Sequence, residues 1–158
     1  MKNVVVLLVL LTLIGCKRET EKNSVFQMRL VESAPSHDTE QMIYEVKYPA
    51  FSKTNYETIY AQKSILLGDS MVKSATVVTG LLGEAQINLT LMPSGQRRLA
   101  EVTQTNVGRR IAVIVDGQIV SVPTVIGMIT NESTQIVGEF SGNEAKFFVE
   151  KINKSVNN

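Results

Sequence analysis

From Val25 onward the spacing of apolar residues changes several times, and each change predicts an element. In VFQMRLVE the alternation puts Phe26, Met28 and Leu30 on one face of a strand. Residues 33–56 lose that alternation, carry two prolines and SAPSHDTE, and read as a long polar loop holding a short strand at Met42 to Val46. TIYAQKSILL (58–67) is a second strand, closed by a Gly68-Asp69-Ser70 turn. Met71 to Thr79 and Glu84 to Leu91 flank Gly80-Leu-Leu-Gly83, which predicts a hairpin with a short glycine-containing loop.

Pro93 ends the strand pattern, because proline suits the first turn of a helix. A helix over about 94–106 places Leu99, Val102 and Asn106 on one side, and Gly108 supplies the left-handed residue beyond its end. Ile111 to Val115 and Gln118 to Val122 surround Asp116-Gly117, a strong hairpin signal because both turn positions need positive φ. Gln135 to Phe140 reads as the last strand. Ser141-Gly-Asn-Glu144 then has capping-box spacing, and Ala145, Phe148, Val149, Ile152 and Val156 form one apolar stripe of a C-terminal helix. The expected class is α+β, a mostly antiparallel sheet with two helices packed on one face.

The N-terminus follows a different pattern. MKNVVVLLVLLTLIGC carries one cation, Lys2, and an apolar stretch from Val4 to Ile14, about half the length that spans a bilayer. Leu13-Ile14-Gly15-Cys16 resembles the bacterial lipobox, whose cysteine is diacylated and becomes the mature N-terminus; Cys16 is also the only cysteine. The expectation is a signal peptide at 1–15, lipidated Cys16 with a flexible tether at 16–24, and a single domain at 25–158. Two or three acyl chains, at ~0.8 kcal/mol per buried CH₂, anchor a protein firmly without spanning the membrane. The chain is therefore expected in the bacterial cell envelope. Lys17 in place of Asp favours the periplasmic side of the outer membrane in a host with two membranes that follows the enteric sorting rule.

Composition narrows the chemistry. With 158 residues, 44% hydrophobic, 20% charged and a net charge of +1, the chain suits one domain and lacks the basic cluster that nucleic acid requires. A lone cysteine has no disulfide partner. Ser70-Met-Val-Lys73 has the spacing of a serine nucleophile and its lysine base, but it begins a strand, where the third residue along faces the opposite way. His37, beside Asp38 and Glu40 in a polar loop, is the only histidine and makes a poor metal site. Asp116, at a hairpin turn, is expected to point to water. Arg109 and Arg110 form a small basic pair, a candidate contact for an acidic partner or lipid headgroups. No enzyme activity and no cofactor are expected.

From Ala85 onward the chain resembles the periplasmic head of the first large extracytoplasmic domain of SecD, the membrane component that assists protein export. The matching stretches are INLTL, PSGQRRLAEVT, Thr103-x-x-Asn106-x-Gly108, IAVIVDG with the strand to SVP, and QIVGEFSGNEAKFF. FQMRLV, the strand ending at Ile65-Leu66, and VKSATV fit upstream in the same order. The resemblance implies a SecD-head-like fold and a capacity to touch extended polypeptide. It places Thr103 and Asn106 in hydrogen bonds that close the helix end onto the next strand. SecD also carries membrane helices with ionisable residues that couple proton flow to movement. After the signal, these 158 residues hold no further apolar run of that length, so a head alone is expected and the energy-coupled step is not carried over. The expected function is a non-enzymatic, membrane-anchored module binding protein or peptide through sheet edges, linked to protein export or envelope maintenance. The alternative is an inhibitor or immunity lipoprotein that neutralises one toxin or hydrolase.

Overall fold

The computed structural model describes residues 24–48 and 53–157. The strand expected from the first alternation is β1 (Phe26–Glu32), and Phe26, Met28 and Leu30 are buried on one face, as their spacing predicts. Its start is held by Asp69, whose carboxylate accepts from the amides of Val25 and Phe26, both at 2.7 Å. The next segment departs from expectation. In place of a long loop with a short strand, β2 (Thr39–Tyr48) and β3 (Lys53–Gln62) pair antiparallel over ten residues each. The reason is tertiary. Met42 and Tyr44 pack against Ile59, Ala61, Ala112, Ile114 and Ile119, residues scattered along the chain whose cluster holds an otherwise polar arm.

Two residues, Leu67–Gly68, form the short β4 against β1, and a 3-10 turn at Asp69–Met71 follows where the sequence predicts a turn. β5 (Val72–Thr79) and β6 (Ala85–Leu91) make the expected hairpin, with Leu81 and Leu82 fully exposed at its tip. Helix α1 (Pro93–Thr105) begins with proline and buries Leu99 and Val102. β7 (Ile111–Val115) and β8 (Gln118–Ser121) join through Asp116 at φ 51° and Gly117 at φ 80°, the turn their dipeptide demands. The last strand, β9 (Ser133–Ile136), lies two residues earlier than the pattern indicates at its start and four at its end. Helix α2 (Gly142–Val156) carries a complete capping box at Ser141 and Glu144.

Among the described residues all strand pairings are antiparallel, and they form two sheets where the sequence pattern implies one. The larger has the order β2-β3-β1-β7-β8 with β4 beside β1, and it curls until β2 lies against β8; the smaller is β5-β6-β9. β7 is buried on both faces. Ile111, Val113 and Val115 meet Phe26, Leu89, Leu99 and Ile152 in the main core, while Ala112 and Ile114 enter the smaller cluster under the β2–β3 arm. Both helices contribute to the main core, and Asn153 of α2 bonds both backbone groups of Ala75, at 2.8 and 2.9 Å, on the open edge of β5. Among the described residues no helix is long and apolar enough to cross a membrane.

The β2–β3 arm is tied to α2 by Lys47, whose ammonium lies 2.6 Å from Glu144. That hydrogen bond, then the Ser141 amide, lowers the Glu144 carboxyl to about 2. Its folded value is below its ordinary value of 4.5, so the stabilisation is complete above pH 4.5 and is lost as pH falls towards 2. Both side chains are more than a third exposed, and after screening the pair is worth about 1 kcal/mol. Glu144→Gln, which preserves the cap geometry, is expected to melt below the wild type at pH 7 and to converge with it near pH 2. A constant gap across that range would show that the charge is irrelevant.

Candidate functional site

The two sheets meet edge to edge at one point and then diverge. At the junction the Ser121 hydroxyl donates to the Val137 carbonyl at 2.6 Å. Beside it Gly138 comes so close to β8 that an added Cβ would lie 2.7 Å from the Val120 carbonyl. Beyond this fork β8 continues as an irregular strand along β7: Ile111 N–H donates to Pro123 O at 3.0 Å, Arg110 bridges Thr124, and Val125 N–H donates to Arg109 O at 2.8 Å. Between this extension and β9 lies an apolar cavity of about 590 Å³, floored by Met28, Leu99, Ile111, Val113 and Ile136.

Hydrogen-bond phase shows which strand edges face the opening. Leu91 N–H donates to Glu132 O at 2.9 Å, so in the antiparallel register the bonds to β6 fall on Thr134 and Ile136. The amide and carbonyl groups of Ser133 and Gln135 therefore point away from β6, and no described element bonds to them. By the same alternation, bonds from the β8 extension to β7 fall on Pro123 and Val125, leaving the backbone groups of Val122 and Thr124 on its outer edge. Backbone polar groups beside apolar side chains are what an extended chain requires for strand addition.

One lip of the groove is Ile126-Gly127-Met128, with Ile126 94% exposed and Met128 54%. It is pinned at both ends. Gly108, at φ 83°, donates its N–H to Val125 O at 2.8 Å, and Ile129 N–H donates to the Thr103 hydroxyl at 2.9 Å. Thr103, 2% exposed, donates its hydroxyl hydrogen bond to Leu99 O at 2.7 Å, while Asn106 donates to Val102 O at 2.8 Å and closes the helix. The Thr103-x-x-Asn106-x-Gly108 spacing thus joins the end of α1 to the lip and to the start of β7. Thr103→Val keeps the volume but orphans the Ile129 amide, with an expected loss of about 2 kcal/mol and faster amide exchange at Ile129. Thr103→Ser should behave as wild type in both measurements; equal behaviour of Val and Ser would remove the hydroxyl from this role.

The other residues singled out by sequence lie elsewhere. Cys16 is outside the described residues. Arg109 donates to Glu32 at 2.7 Å and to Asn106 at 3.2 Å. Arg110 donates to Glu57 from both terminal guanidinium nitrogens, at 2.6 and 3.0 Å, and its guanidinium holds that carboxyl below the ordinary range. Asp116 does not simply point to water: half-exposed, it pairs with Lys151 of α2 at 2.7 Å. His37 is exposed beside Asp38, at 3.2 Å. Ser70 belongs to the 3-10 turn and Lys73 is exposed on β5. The groove residues Ile126, Met128, Ser133 and Gln135 were not marked by any chemical motif. For Ile126 and Met128 the sequence signal is Val125-Ile-Gly-Met-Ile129, an apolar run with neither strand nor helix spacing; Gln135 opens the expected last strand, and Ser133 carries no signal.

Comparison with known proteins agrees with this architecture. SecD of Dictyoglomus turgidum is 32% identical over 84 residues, covering 53% of this chain and 21% of that protein. SecDF of Thermus thermophilus is 34% identical over 80 residues, covering 51% of this chain and 11% of that protein. The chain thus matches only about a tenth to a fifth of the length of these relatives. A solved structure of SecDF, described as a membrane component that enhances protein export, superposes with a TM-score of 0.62 at 21% identity over 84% of this chain and 64% of that one. Another, of SecDF in a super-membrane-facing form, gives 0.63 at the same identity over 84% of this chain and 19% of that one. The family model for the SecDF P1 head subdomain matches residues 41–152, well over half of the sequence, and the chain belongs to that family.

Proposed function

We propose that this protein is a non-enzymatic, lipid-anchored module of the bacterial cell envelope that holds extended polypeptide in the groove between β8 and β9, in protein export or envelope maintenance. The observation that carries this reading is the unpaired edge of β9 above an apolar floor. Kinship with SecD and SecDF, whose members serve protein translocation, supports a polypeptide as the occupant. In this reading Cys16 is the lipid attachment point, residues 17–24 are the tether, and an outer-membrane position follows from Lys17 where the enteric sorting rule applies. An acidic partner reaching Arg109 or Arg110 has to displace Glu32 or Glu57.

The test is capture by the mature protein of one secretory protein presented both unfolded and folded. Binding of the unfolded form alone, reduced by Ile126→Asp or Met128→Asp at the exposed lip, is the expected result. Equal indifference to both forms, or one stoichiometric folded partner surviving high salt, overturns the reading. Palmitate labelling that persists in Cys16→Ser overturns the anchor separately.

A further inference from the structure

The groove has two chemically different sides, and together they specify what sort of extended chain fits. In the β5-β6-β9 sheet the side chains facing the core include Ala75, Ile87, Leu89 and Ile136. The opposite face reads, across the strands, Ser74–Thr90–Ser133 and then Thr76–Asn88–Gln135, with no charged residue in either row. Ser133 and Gln135, whose side chains lie on this polar face, are the residues whose backbone groups point away from β6, and Gln135 also lines the cavity. A strand laid beside β9 therefore has a fixed phase. Its residues opposite Ser133 and Gln135 present side chains to the polar face, and the residues between and flanking them drop side chains onto Met28, Leu99 and Ile111.

Resting on the proposed polypeptide-binding function, we infer that the groove selects segments about five residues long in which apolar and uncharged polar residues alternate, ahead of uniformly apolar segments. The occupant is a β-strand-forming stretch of an unfolded chain, added to β9 as a fourth strand. The fork at Ser121 and Val137 closes one end of the site, and the Thr103–Ile129 bond holds its lip near the other. Thr124, which lines the cavity, offers its backbone groups on the outer edge of the β8 extension, so an inserted strand can bond on that side as well. A helical apolar segment satisfies its backbone internally and leaves Ser133 and Gln135 as they were.

The experiment uses three fluorescent peptides of matched length with the mature protein. One alternates valine and threonine; the second has the same composition with its valines together; the third is a leucine–alanine helix former. The alternating peptide is expected to bind at least about ten-fold more tightly than either, as loss of one or two buried side chains implies. Methylating its backbone nitrogens at the threonines should abolish binding without any change to the protein. Gln135→Pro, which removes one amide from the open edge, should do the same, while Gln135→Ala, which keeps that amide and removes one side chain from the polar face, should weaken binding only in part. Equal affinity for the alternating and clustered peptides, or indifference to methylation, overturns the inference while leaving the polypeptide-binding function standing. No binding of any of the peptides or of an unfolded protein overturns both.

Discussion

Replacing Gly95 by alanine is expected to destabilise this protein by about 3 kcal/mol, although alanine is the better helix former by about 1 kcal/mol. Gly95 is buried in the first turn of α1, against the 3-10 turn that precedes β5. A Cβ built there overlaps the carbonyl oxygen of Met71, a backbone atom that cannot rotate aside. That oxygen is already engaged, accepting from Met92 N–H at 2.9 Å in the link that joins the end of β6 to the start of β5. To admit a methyl group α1 must lift from the turn, which separates Leu99 and Val102 from the main core and tilts the floor of the groove. Chemical denaturation should show a lower midpoint with an unchanged slope. A variant as stable as wild type, or more so, would show that helix propensity outweighs this close approach.

Phe26→Ala is expected to cost about 3–5 kcal/mol, a large part of the 5–15 kcal/mol that holds a typical domain together. Phe26 is completely buried in the main core, a cluster drawn from both sheets and both helices, and its cross-strand partner on β7 is Val115, also fully buried. Because that cluster is built from several elements, the cavity left by alanine is expected to close only in part. Phe26→Leu, which retains much of the volume, should lose less than half as much. The pair separates packing from the backbone clamp at Asp69, because both variants keep the Val25 and Phe26 amides. Losses below about 1 kcal/mol for alanine would place the weight of the core elsewhere.

Elements whose signals are local were legible in the sequence. The capping box at Ser141 and Glu144, the stripe from Ala145 to Val156, the turn at Asp116-Gly117 and the burial of Phe26, Met28 and Leu30 all follow from spacings of a few residues. The β2–β3 arm was not legible. Its strands are largely exposed or half-exposed, and only contacts made with Ala112, Ile114 and Ile119 give them an inner face. β9 moved for a similar reason: Gly138 must pass beside Val120, and the chain has left the ladder by then.

The candidate site divides in the same way. Thr103, Asn106 and Gly108 could be recognised as a pattern, because a helix end closes through residues near in sequence. That Thr103 reaches across to Ile129 could not, since 26 positions separate them and no spacing rule connects a buried hydroxyl to a distant amide. The open edge lies further still from any sequence signal. Whether Ser133 and Gln135 have partners depends on which strand lies beside β9, and pairing is a property of the assembled sheets. Local chemistry made the strands and helices of this chain recognisable one by one; long-range packing alone set two sheet edges apart and left an apolar floor between them.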